Sequence, residues 1–187
     1  MNNPDTILFS ISRTPFRENK FHWIGMVQKK KWSVIALKST DIKMSNLMEL
    51  KALPKLGVVR GDVREEWLIN RDFSNLYSVT QPEQNISRLL LGRVPAIVYE
   101  YQGLAHICRE KGIDIEQFIS IYTLHSSSVY IAMSKPNTDE LLVKKWQQAY
   151  NSLKQEGKIR EIALKWQKKL LTELEMNIEI ENDLLKF

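Results

Sequence analysis

Short apolar runs of β-favouring residues alternate with amphipathic stretches along this chain, and glycine or proline separates most of them. Ile7–Ile11 is short and apolar, the type of a strand buried on both faces. A second apolar segment runs from Phe21 to Val27, and Trp32–Leu37, Leu56–Gly61, Leu76–Thr80 and Ala96–Tyr99 read as strands. Ile119–Leu124 and Ser128–Met133 add two more. Helical stretches lie between them. Ser45 is placed to cap a helix through about Leu50 that Pro54 stops, and Asp62 to cap Val63–Ile69. Asn85 or Ser87 leads Ile86–Leu91 to a stop at Gly92, and Tyr101 to Gly112 reads as a helix ended by its glycine. Asn137 or Thr138 caps Glu140–Gln155, where Leu142, Val143, Trp146, Ala149, Tyr150 and Leu153 recur at three- and four-residue steps. Another helix runs from about Lys158 through Leu171, and the acidic tail 172–187 reads as its extension. Trp146 and Trp166 are expected in the core. The pattern is that of an α/β protein.

Composition narrows the function classes. With 187 residues the chain can bury a real core, as one domain or two small ones. Its net charge of +5 comes from 27 basic and 22 acidic residues, which are interspersed. Lys29-Lys-Lys31 is the exception and reads as a solvated turn between two strands. No basic stripe with interleaved aromatics points to nucleic acid. Cys108 is alone, so no intrachain disulfide forms, and its apolar surroundings mark a small buried residue. His22, His106 and His125 are far apart with no ligand at metal-binding spacing, so neither a metal nor another cofactor is expected. The chain has no run of about 18 apolar residues, the length a membrane span requires. The first residues are polar and then strand-like, unlike an export signal.

Three places carry candidate chemistry. The Ile7 strand empties into Ser10, Ser12 and Thr14, then Pro15 and Arg17-Glu18. Arginine offers a forked pair of donors and hydroxyls add more, a set suited to a carboxylate. Gly61, Asp62 and Val63 join a strand to a helix start, where backbone N–H groups can meet an anion. Glu100 ends a strand between Tyr99 and Tyr101. Each has a plain structural use as well: a surface ion pair for Arg17, a simple turn at Gly61, a solvated carboxylate at Glu100.

The pattern S-x-S-x-T-x-x-R-E-x-x-F-x-W-x-G over 10–25 resembles the type II periplasmic solute-binding proteins of family 3, amino-acid receptors of ATP-driven (ABC) importers. Gly92-Arg-Val-Pro-Ala-Ile-Val-Tyr-Glu100 is similar to a second family segment. Met133-Ser-Lys-Pro, Leu141–Ala149 and Leu153–Ile162 resemble its closing helices. The resemblance covers about residues 5–167. It implies a two-lobe α/β fold that closes on a small polar solute and hands it to a membrane permease. It implies that Arg17 clamps the solute carboxylate, Ser12 supplies a hydroxyl and Ser10 backbone groups. It also implies that Gly61, Asp62 and Val63 meet the carboxylate from the other lobe and that Glu100 pairs with an amino group. Asp62 stands where the family has a hydroxyl residue, and Pro95 replaces an Asp.

By this map lobe 2 is 38–126, lobe 1 is 1–31 with 134–187, and the hinge crossings are 27–37 and 127–134. Two β-α units that open the family's first lobe have no counterpart here, so the resemblance implies a lobe 1 truncated at its start. The Ile7 strand and the apolar helix faces are then expected to be exposed, or covered by a second copy in a homodimer. The family's place is the periplasm. The expected function is solute binding without catalysis. The alternatives are a non-binding remnant, an enzyme of the same fold (the cyclohexadienyl dehydratase type, with Glu100 as its only acid) and a sensory module.

Overall fold

The computed structural model describes residues 3–187. In chain order the strands are β1 (Ile7–Ser12), β2 (Phe21–Leu37), β3 (Leu56–Val59), β4 (Leu76–Val79), β5 (Ala96–Tyr99), β6 (Phe118–Ser134), β7 (Glu179–Glu181) and β8 (Leu184–Lys186). The helices are α1 (Leu47–Ala52), α2 (Val63–Ile69), α3 (Pro82–Leu90), α4 (Tyr101–Lys111), α5 (Glu140–Gln155) and α6 (Lys158–Leu174). They divide into two compact units, Met1–Lys30 with Ser127–Phe187 and Lys31–Ser126. Each is described by itself below, the first as the split unit and the second as the central unit.

In the central unit, β3 pairs parallel with β4 and with β5, and β5 pairs antiparallel with the end of β2, Ser33 opposite Tyr99 and Ile35 opposite Ile97. The near-continuous apolar runs of β3 and β5 match a sheet covered on both faces. One face buries Trp32, Val34, Leu50, Leu56, Val58 and Leu68, and the other Ile35, Ile86, Leu89, Ile97, Leu104 and Phe118. Alternate residues of β2 thus serve opposite cores, the two-residue period of a strand. Cys108 is buried in the second of these cores. Gly57 is required by packing: a Cβ there would lie 2.8 Å from Asn85 Oδ1 and from Ile97 Cγ2.

In the split unit, β1 pairs antiparallel with the end of β6 and with no other described strand. It is not buried on both faces. Phe9 is 68% exposed, and only Ser12 of its six residues is buried. Leu8 faces Ala132 and Ile11 faces Tyr130, so Phe9 and Ser10 oppose Ile131 alone in a β-bulge, with Ser10 at φ +59°. An edge position and a bulge explain the exposure that apolarity alone did not predict. Helix α5 lies on Ile24 and Met133 through Val143, with Tyr150 beside them. The Tyr150 ring needs Gly25 beneath it, since a Cβ there would come within 2.4 Å, and its hydroxyl donates to the Met26 carbonyl (2.5 Å).

Several sequence expectations are corrected. Lys29-Lys-Lys31 is no turn: β2 runs unbroken through it, because β8 pairs with Gln28 and Lys29 and the Lys29 ammonium reaches Glu181 (2.6 Å). The strands expected at 119–124 and 128–133 are one strand, β6. The tail does not extend α6, which stops at Leu174 with Glu175 left-handed (φ 54°). Beyond it β7 and β8 form a hairpin on β2, and Ile178 and Leu185 bury against Ala163. Trp146 and Trp166 are 38% and 46% exposed rather than core. Helix α3 starts at Pro82 after Gln81 rather than from Asn85 or Ser87, and capping at α1 and α5 shifts by a residue or two. Asn46, not Ser45, accepts the Met48 and Glu49 amides. Asp139, not Thr138 or Asn137, caps α5, because the buried Thr138 hydroxyl instead accepts the Asp5 amide (3.0 Å).

Candidate functional site

The candidate residues fall into two groups, Ser10, Ser12 and Arg17 in the split unit and Gly61, Asp62, Val63 and Glu100 in the central unit. Strand β1 delivers the first group. The bulge leaves Ser10 exposed beside an apolar cavity, whereas Ser12, opposite Val129, is only 8% exposed. The chain then turns, with the Arg13 amide donating to the Ser128 carbonyl and the Arg17 amide to the Thr14 carbonyl (2.9 Å). Arg17 is half-buried. The Oγ atoms of Thr14 and Ser127, on these adjacent segments, are buried with no hydrogen-bond partner in the protein. Such hydroxyls are uncommon, because leaving one unmatched costs about 1–3 kcal/mol.

Arg13, which sequence reasoning passed over, is firmly held in this loop. Its Nε and Nη2 donate to both Glu18 carboxylate oxygens (2.8 and 2.5 Å), and its guanidinium lies 5.2 Å from the ring centres of Trp23 and Tyr130. Hydrogen bonding to Glu18 raises its pKa against the opposing cost of burial. The signal was available only across the fold, since Tyr130 lies on β6.

In the central unit, α2 starts as the Asp62 cap predicts. Gly61 is left-handed (φ +71°) with open space around the missing Cβ, so glycine serves the turn rather than close packing. The Gly61 amide expected to face a solute instead donates to Glu65 Oε2 (2.6 Å), and the Ser78 hydroxyl donates to Glu65 Oε1. A buried side chain of this chain therefore occupies the anion corner.

Asp62 is engaged in the same way. Its Oδ1 accepts from the Arg64 amide (2.8 Å) and Nε (2.6 Å), and its Oδ2 from Nη2 (2.7 Å). The Arg64 Nη1 lies 3.4 Å from Glu100 Oε1, and the guanidinium sits 4.7 Å from the centre of the Tyr99 ring. Burial acts to lower the Arg64 pKa, but the bond to Asp62 and the charges of Asp62 and Glu100 outweigh it and raise it. The fold thus gathers Asp62 and Glu100 around Arg64. Val63 is the first residue of α2 and stands half-buried. Neither Arg64 nor Glu65 was singled out in the sequence.

No helix is long and apolar enough to cross a membrane, and no group of three or more potential metal ligands occurs among the described residues.

No family model and no curated protein matches the sequence. Solved structures do. A histidine kinase sensor domain with similarity to periplasmic binding proteins superposes with a TM-score of 0.74 at 18% identity, over 87% of this chain and 69% of that one. The solute receptor for L-cysteine of Neisseria gonorrhoeae gives 0.67 at 19%, over 87% and 63%. An amino acid ABC transporter substrate-binding protein of Streptococcus pneumoniae bound to L-arginine gives 0.62 at 21%, over 79% and 61%. The chain spans about two thirds of the length of these structures. At such identities the likeness concerns fold alone: the chain has the α/β fold of the type II periplasmic-binding-protein-like structures.

Proposed function

We propose that this chain binds a small polar solute of the amino-acid class and is not an enzyme. The observation that carries the reading is the pair of buried, unmatched hydroxyls, Thr14 in the loop that bears Arg17 and Ser127 on the β6 segment that pairs with it. A solute carboxylate supplies what these groups lack, with Arg17 as its charged partner and Ser10 contributing backbone groups. In the central unit Glu100 is the group for a solute ammonium. The Gly61–Val63 corner serves as the frame that holds Asp62 and Arg64 near it. Closure on the solute turns on 27–37 in β2 and 127–134 in β6.

In this reading the solute is delivered to the permease of an ABC importer in the periplasm. A second reading, a sensory module, is favoured by the likeness to the kinase sensor domain. The test of binding is a thermal-shift screen against the L-amino acids and small polar metabolites. A ligand at a hundred times its Kd stabilises by about 2.7 kcal/mol, and Arg17→Ala should abolish the shift. A cooperative melt that no compound moves would overturn the reading. Once a solute is known, deleting the gene separates the roles: lost uptake marks an importer component, and intact uptake with a lost response marks a sensor.

A further inference from the structure

The Asp62–Arg64 arrangement is more than a helix cap. A capping aspartate needs one backbone amide, and Asp62 has that from Arg64. It also receives two side-chain bonds in a forked, two-oxygen match to the same arginine. The Tyr99 ring lies against the guanidinium, and Glu100 faces Nη1 at 3.4 Å. Room for that ring is made by Gly103 on α4, where a Cβ would stand 2.8 Å from Tyr99 Cε1. Arg64 itself is 7% exposed, and its Nη1 makes no hydrogen bond. A flat cation held by a fork of acceptors, an aromatic face and a second carboxylate has the geometry of a bound guanidinium ligand.

We propose that Asp62, Tyr99 and Glu100 form a guanidinium-binding cage occupied by the chain's own Arg64, which closes that cage to an external guanidinium until its side chain is removed. The proposal rests on the reading above only in placing solute recognition near Glu100, and the cage can be tested without any solute. Removing the Arg64 side chain leaves two carboxylates and a ring facing the space it filled. An added guanidinium then satisfies them, whereas a rounder ammonium cannot reproduce the fork.

The experiment is chemical rescue. Arg64→Ala is melted with increasing methylguanidinium chloride in the low-millimolar range, with methylammonium and potassium chlorides as controls. The expected result is a saturable rise in Tm of about 3–5 °C at ten times the half-saturating concentration. It should be absent from the wild type and from Arg64→Ala/Asp62→Asn. Equal responses in the wild type and Arg64→Ala, or equal responses to the three salts, would overturn the proposal. If Arg64→Ala does not melt cooperatively, Arg64→Gln takes its place. The wild type alone gives a second reading by NMR: the Arg64 Nε–H should exchange far more slowly than that of free arginine. Exchange at the free rate in the folded protein would overturn the cage whatever the variants do. A solute found by the thermal-shift screen leaves this outcome unaffected, so the two proposals fail separately.

Discussion

Glu65 is 8% exposed, and both its oxygens are used, one by the Gly61 amide and one by the Ser78 hydroxyl. Replacing it with alanine removes the charged acceptor of two partly buried hydrogen bonds, so Glu65→Ala should lower the unfolding free energy by about 1–3 kcal/mol in urea titrations. An unchanged midpoint would show that the Gly61 turn holds without it. His125 offers a pH test. It lies 4.9 Å from Trp32 and 5.7 Å from Trp67, ring centre to ring centre. Burial, and then the charge of Arg71, lower its pKa below the ordinary imidazole value. The unfolded chain therefore binds the proton more readily than the folded one. Stability from this group is full above the unfolded pKa, near 6.5, and declines as pH falls from there toward the folded pKa. The urea midpoint should drop between pH 7.5 and 5.5, and His125→Gln should flatten that slope. An NMR titration midpoint at or above the ordinary value would refute the assignment.

At the scale of elements, the hairpin of β7 and β8 does what the sequence assigned to a longer α6. Leu185 is 9% exposed and packs with Ala163 and Ile178, and the Phe187 amide donates to the Lys29 carbonyl (3.0 Å). Leu185→Ala should cost about 2 kcal/mol, the low end of the leucine range, because the neighbouring cavity lets the site relax. A loss below about 0.5 kcal/mol would mean the hairpin does not cover α6 in solution. Acid should loosen the hairpin as well. Hydrogen bonds from Lys29 and then Lys186 lower the Glu181 pKa, so their stabilisation is present above the usual carboxylate range and fades as pH falls through the depressed value. The ion pairs are exposed, which limits their worth. Faster hydrogen exchange at Leu185 below about pH 4, lost in Glu181→Gln, would register it.

At the scale of the molecule, the two units differ in how completely they bury their apolar surface. The central unit has a packed core on each sheet face. In the split unit, Trp146, Leu153, Ile162 and Trp166 remain 38–53% exposed, and an apolar cavity of about 600 Å³ opens between α5, α6 and the sheet. Native protein should therefore bind the dye ANS, with energy transfer from tryptophan, and Leu153→Glu should weaken the signal without altering the far-ultraviolet spectrum. A dye-silent protein would mean that this face is covered in solution. Light scattering over a range of concentrations would then show whether a second copy covers it.

Periodicity by itself placed α2, β3, β4, β5 and α4 within two residues, because local signals coincide there: the Asp62 cap, the Gly112 stop and short apolar runs between breakers. The type II fold was legible for a related reason, since motifs spread along the chain each stand on an element of that topology. Partnership decided the rest. Three lysines continue a strand because β2 has strand partners there, β8 at Lys29 among them, an apolar strand is exposed because it takes an edge, and Trp146 and Trp166 stay out of the core although their spacing is that of a core face. The candidate site divides the same way. Residue types announced acids and donors at Gly61, Asp62 and Glu100, but only the tertiary structure showed Glu65 on the Gly61 amide and Arg64 between the carboxylates. Arg64 and Glu100 come from different elements, and although Glu65 and Asp62 act locally at the start of α2, no one-dimensional pattern records which side chain reaches a donor first.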